Sequence, residues 1–92
     1  MITSFKHRGL RRLYEQGDRG GIGANIRDRV ERILLVLDQA ESLDDMNLPG
    51  YRLHQLTGDR KGLWSVRVTG NWRITFGFTD GEVVDVDLED YH

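Results

Sequence analysis

The chain has no cysteine. That removes disulfides as a source of stability and thiolates as metal ligands or nucleophiles. Proline occurs once, at Pro49, so a proline-rich linker is excluded and the chain carries one strong punctuation mark. Long apolar runs are also missing. The longest, residues 33–37, falls far short of the roughly 20 residues that cross a bilayer as a helix. The first residues, Met1-Ile2-Thr3-Ser4-Phe5, lack the charged region and apolar block of a secretion signal. No membrane association is expected, and a cytoplasmic location is. A strong charge of either sign is lacking as well: the net charge is −2, which by itself gives no electrostatic reason to bind nucleic acid.

What is present describes one small domain spanning residues 1–92. A hydrophobic share of 38% and a charged share of 30% fit a globular chain rather than a disordered one. The charges are segregated along it. Residues 1–37 hold eight Lys or Arg against four acids, and residues 38–49 hold four acids and no base. Residues 50–73 hold five bases against one acid, Asp59, and residues 74–92 hold six acids and no base. A chain arranged this way can show a basic face despite an acidic total.

Periodicity predicts an α+β order. Residues 1–6 read as a short strand. Leu10, Leu13 and Tyr14 recur at helical spacing over residues 7–16, with Gly17 as the stop. After a glycine-rich loop, Ile26, Val30, Ile33, Leu34 and Leu37 form one apolar stripe, with Asp28 and Arg32 spaced as an i,i+4 pair on the other side. Strands are predicted over residues 51–56, 63–68, 72–78 and 83–89, the last with Val84, Val86 and Leu88 inward and Asp85, Asp87 and Glu89 outward. These elements make two N-terminal helices packed on one face of a small curved, mainly antiparallel sheet. Trp64, Val66 and Val68 must share a core with Trp72, Ile74 and Phe76, because a slip of one residue would turn one set outward. Pairing Val68 with Trp72 leaves the three-residue loop 69–71 and sets Arg67 opposite Arg73. Two like charges facing each other across a hairpin need acids or an anionic ligand nearby. The strand bearing Asp85, Asp87 and Glu89 is one source of acids; a phosphate backbone is the other.

Three histidines, His7, His54 and His92, show none of the spacings of a metal site, and no metal or other cofactor is expected. No glycine-elbow serine is present, and Gly20-Gly21-Ile22-Gly23 lacks the Lys-Ser/Thr of a phosphate loop. His7, at a helix start, reads as ordinary surface. The sequence closes on Asp90-Tyr91-His92, an acid, a phenol and an imidazole that directly follow a predicted strand. Imidazole suits proton transfer near neutral pH. With His54 and the cations Arg60, Lys61, Arg67 and Arg73, these residues suit phosphodiester cleavage in RNA, which brings its own nucleophile, the 2′-hydroxyl. Such a reaction needs a base, an acid and positive charge at the phosphate. Either of His54 and His92 can be the base.

The chain resembles the plasmid-maintenance killer proteins, the HigB-type toxins of the RelE superfamily. The likeness runs nearly end to end: Ser4-Phe5-Lys6-His7, Leu53-His54, Gly58-Asp59-Arg60-Lys61-Gly62, Trp64-Ser65, Asn71-Trp72-Arg73-Ile74-Thr75-Phe76, Asp80-Gly81 and the closing Asp90-Tyr91-His92. The resemblance implies a ribosome-dependent mRNA endonuclease that inhibits translation, cutting in the ribosomal decoding site by 2′-hydroxyl attack without a metal. It implies a helix-turn-helix antitoxin of HigA type that carries the pair to operator DNA. It places catalysis on His54, Asp90, Tyr91 and His92, the contact with the A-site nucleotide on Asn71, and phosphate or structural support on Arg73. Similar toxins often have Lys where this chain has Thr57, so either Arg60 or Lys61 stands in or activity is lower. The alternative class is a non-catalytic corepressor that acts only through its antitoxin.

Overall fold

In the computed structural model, which describes residues 1–90, two helices precede four strands: α1 (Arg8–Gln16), α2 (Arg27–Gln39), β1 (His54–Gln55), β2 (Leu63–Arg67), β3 (Trp72–Thr79) and β4 (Glu82–Asp90). Short 3-10 turns occupy Leu43–Met46 and Gly58–Arg60.

α1 begins at a histidine cap. Nδ1 of His7 accepts a hydrogen bond from the Leu10 amide at 3.1 Å, satisfying one of the donors that a helix start leaves open. His7 is thus a structural residue rather than plain surface. The helix ends where the sequence predicts. Gly17 adopts φ 69°, and the amides of Gly17 and Asp18 return to the carbonyls of Leu13 and Arg12 at 3.1 and 3.3 Å. This double-bonded ending requires a left-handed residue. A Cβ at Gly17 would meet no atom within 4 Å, so Gly17→Ala isolates the backbone strain. It should destabilise the fold by about 1 kcal/mol, as read from urea unfolding.

α2 buries Val30, Ile33, Leu34 and Leu37, the predicted stripe. Its outer face differs in detail. Asp28 engages Arg19 at 2.8 Å rather than serving as the i,i+4 partner of Arg32, and Arg19 also reaches Glu31 at 2.6 Å. One arginine therefore pins the glycine-rich loop to the helix. Tyr14 of α1 donates to Asp38 of α2 at 2.7 Å, and the Ile2 amide donates to the same oxygen at 3.0 Å. The Tyr14 hydrogen bond holds the Asp38 carboxyl below its ordinary range; partial burial opposes this, and the Ile2 amide and the N-terminal ammonium reinforce it. A carboxyl held low in the folded state adds stability above its unfolded pKa, and loses that contribution as pH falls through the folded one. Asp38→Asn should therefore flatten the loss of stability below about pH 4, measurable as urea midpoints at pH 6 and pH 3.

The sheet has the order β1-β2-β3-β4, every pair antiparallel. The β2–β3 hairpin matches the derived register: Arg67 lies opposite Arg73, and the amides of Val68 and Thr69 both donate to Trp72 O, at 2.8 and 3.1 Å. Three expectations are corrected. Residues 1–6 form no strand but touch β4 through isolated parallel bridges, Ile2 to Val83 and Phe5 to Val86. The strand predicted over 51–56 shrinks to two residues, because Arg52 turns the backbone into the left-handed region at φ 50°. The flanks stay tied, with Arg67 N donating to Tyr51 O at 2.7 Å and Leu56 N to Leu63 O at 2.9 Å. Finally, β4 changes phase. A bulge opposite Thr75–Gly77, with Asp85 at φ 54°, inserts one residue. Val83 and Val86 are then fully buried, while Val84 falls on the other side, half-buried. The Asp85 amide donates to Ser4 Oγ at 2.8 Å, so the N-terminal segment stabilises the bulge.

The core lies between the helices and one sheet face. Phe76, Leu10, Ile22, Ile33, Leu37, Met46 and Ile74 are among its fully enclosed side chains. The opposite face of β1–β3 is left for polar side chains.

Candidate active site on the polar sheet face

Strand pairing dictates which side chains share that face, because directly opposed residues point the same way. One row crosses all four strands: His54, Ser65, Thr75 and Asp87. The next row is Arg67, Arg73 and Glu89. Between β1, β2 and the hairpin loop the surface sinks into an open groove of about 570 Å³, whose lining includes Arg52, His54, Ser65, Arg67, Thr69 and Arg73. Three guanidinium groups and an imidazole thus line one depression, and among the described residues none that lines it is acidic. Arg52 and Arg67 enter no ion pair among the described residues.

The acids that the Arg67–Arg73 pairing requires come from β4. Glu89 stands across from Arg73 and accepts hydrogen bonds from Thr75 Oγ1 at 2.8 Å and from the Arg60 guanidinium. Burial alone would push the Glu89 carboxyl up. The hydrogen bonds from Arg60 and Thr75, with the Arg60 and Arg73 charges, outweigh it and hold the group below its ordinary range. The carboxylate therefore stays ionised and balances the end of the row, leaving positive charge concentrated towards Arg52 and Arg67.

The structure brings together His54, Arg67 and Arg73. Asn71 sits exposed at the hairpin tip, next to Gly70 on the groove rim. Arg60 and Lys61 lie apart from the groove at the 3-10 turn before β2, with Arg60 already joined to Glu89. Asp90 ends β4 opposite Trp72. Its cross-strand neighbour Trp72 lines the groove together with His54. Tyr91 and His92 lie outside the described residues. Two contributors were missed from sequence. Arg52 gave no signal, since nothing marks a non-glycine residue for a left-handed turn. Ser65 was legible only as the partner of His54 once the β1–β2 register was known. Among the described residues no cluster of three or more His, Asp or Glu could hold a metal ion.

The model of a family described as the RelE-like toxin of type II toxin–antitoxin system HigB matches residues 3–92. The chain is 46% identical over 92 residues to the Endoribonuclease HigB of Proteus vulgaris, covering all of both proteins. It is 33% identical over 91 residues to Toxin HigB-1 of Vibrio cholerae, covering 97% of this chain and 96% of that one. The fold is similar to that of YafQ from E. coli, with a TM-score of 0.63 at 12% identity over 98% of this chain and 93% of that one. It is also similar to a chain of the heterotetrameric YoeB-YefM toxin-antitoxin complex from Staphylococcus aureus, with a TM-score of 0.62 at 11% identity over 100% and 98%.

Proposed function

Because the chain belongs to the HigB-like family, the RelE-like toxins of type II toxin–antitoxin systems, we propose that it is a ribosome-dependent endoribonuclease that cuts mRNA in the decoding site and so stops translation. The observation that carries this reading is the groove in which His54 shares one sheet face with Arg52, Arg67 and Arg73.

Cleavage runs as follows. A base removes the proton of a ribose 2′-hydroxyl, and the oxygen attacks the adjacent phosphorus. The bond to the 5′-oxygen of the next nucleotide breaks, and an acid protonates that oxygen. The products are a 2′,3′-cyclic phosphate and a 5′-hydroxyl, and no metal takes part. His54 and His92 carry the two protons, with Tyr91 as a further donor or stacking group. Asp90 orients a histidine. Arg67 and Arg73 meet the phosphate, where charge builds up in the transition state and fixed cations lower the barrier. Arg52 extends the same electropositive wall. Lys61, exposed at the turn before β2, adds a charge for the RNA backbone outside the groove, and Asn71 on the hairpin tip meets the A-site base.

A helix-turn-helix antitoxin of HigA type silences the toxin and takes the pair to operator DNA. Mapping RNA 5′ ends after brief induction tests the catalytic reading. New ends inside translated codons, absent when translation initiation is blocked, are the expected result. Growth arrest with unchanged ends would overturn the nuclease and leave the corepressor.

A further inference from the structure

We infer that Arg60, Glu89 and Thr75 form a clamp that anchors the end of β4, and that Glu89 and Arg60 are positioning residues for cleavage rather than contacts to RNA. The inference rests on the reading that the residues directly after Asp90 take part in catalysis.

The clamp joins three places that are distant in sequence. Arg60 belongs to the Gly58–Arg60 turn that precedes β2, Thr75 to the middle of β3, and Glu89 to the penultimate described position of β4. One carboxylate oxygen, Oε2 of Glu89, accepts from both the Arg60 guanidinium and the Thr75 hydroxyl. The Glu89 side chain is only 24% exposed and that of Arg60 39%, so the pair is partly screened from water, unlike an ordinary surface ion pair. Thr75 is 2% exposed, which makes its hydroxyl a fixed anchor.

The location explains the need. A strand paired on one side opens more readily unless something ties it down. β4 is the outer strand of the four, paired on one side with β3. Its first half gains support from the N-terminal segment through Ile2–Val83, Phe5–Val86 and Ser4–Asp85. Past Val86 that support ends, and Glu89 takes over. Catalytic groups must be held to within a fraction of an ångström, because misplacement by about 1 Å can cost about 100-fold. Groups carried by the residues after Asp90 depend on how firmly Glu89 and Asp90 are held.

The clamp also reassigns Arg60. A guanidinium bound to a partly buried carboxylate is not available as a substitute for the Lys that similar toxins carry at the position of Thr57. Losing Glu89 would release Arg60 and strip the countercharge opposite Arg73, tightening RNA binding while loosening the tail.

The test compares the full-length protein with Glu89→Ala, Arg60→Ala, the double variant and a chain lacking Tyr91 and His92, in mRNA cleavage on programmed ribosomes and in backbone hydrogen exchange. A clamp predicts that each single variant lowers kcat about tenfold with KM unchanged or lower, and that the double variant is no worse than either single one, since both break the same contact. Arg60→Lys should recover most of the rate. Amides at the end of β4 should exchange faster in both single variants while those of Ile74 and Phe76 do not. If Arg60 instead contacts RNA, Arg60→Ala raises KM and reduces its salt dependence while Glu89→Ala does not lower kcat, and the inference is overturned. Unchanged exchange at the strand end overturns it as well. Full cleavage by the truncated chain would instead defeat the reading of the tail, while the exchange measurement still decides whether the clamp exists.

Discussion

His54→Ala is expected to lower mRNA cleavage by about 10²- to 10⁴-fold, the usual contribution of one positioned acid or base, with the fold intact. The side chain is exposed and lies in a strand of two residues, so it contributes nothing to the core. What it does contribute is placement. The backbone of His54 pairs with Ser65, which fixes its Cβ on the same face as Arg67 and Arg73, at the groove. Alanine keeps that pairing and removes the imidazole. Single-turnover cleavage of ribosome-bound message, with a thermal melt as control, measures the effect. In the proposed mechanism His54 acts in the chemical step, so the loss belongs in kcat, and antitoxin binding should not change. Cleavage within about threefold of the parent, at an unchanged melting temperature, would remove His54 from the mechanism.

Phe76→Ala should cost about 3–5 kcal/mol of folding stability, a large part of the roughly 5–15 kcal/mol that holds a domain together. Phe76 is fully enclosed in the middle of β3. It stands opposite Trp64 on β2, and on its other side the ladder to β4 is interrupted by the bulge. Truncating it removes the largest of the fully enclosed side chains and leaves a cavity in the core. Phe76→Leu keeps most of the volume and should cost no more than about 1.5 kcal/mol. Urea unfolding followed by tryptophan fluorescence reads both. A loss below about 1 kcal/mol for the alanine variant would mean that the helices, not the sheet, dominate stability. In cells the variant should lose toxicity through falling abundance, while His54→Ala loses it at normal abundance.

Much of the frame was legible in the sequence for specific reasons. The stripe on α2 and the left-handed stop at Gly17 are local signals, and local physics produces them. The Arg67–Arg73 pairing followed from two aromatic-led runs that had to bury the same face, so register was constrained by burial. The failures are equally physical. Val84, Val86 and Leu88 alternate perfectly with acids, yet the backbone inserts a residue at Asp85 because Ser4, far away in sequence, offers its amide a partner. The strand over 51–56 looked continuous because nothing in a Tyr-Arg-Leu-His run announces a left-handed arginine. Of the site, the residue types were readable, and the structure sets His54 in one groove with Arg67 and Arg73. The commitment of Arg60 to Glu89 was not readable, since it joins a turn to a strand end that pair with different neighbours.

The contacts of the N-terminal segment with β4 set an order of events during synthesis. Ser4 and Asp85 are 81 positions apart, and Ile2 and Phe5 find their partners, Val83 and Val86, on the last strand to be made. A chain emerging from its N-terminus outward therefore holds its opening residues unpaired through almost all of translation, and long-range closure of this kind is slow compared with helix formation. The groove forms only after β3, and the bulge only after β4. The bulge and the contacts of Ile2, Ser4 and Phe5 with β4 therefore close the fold late.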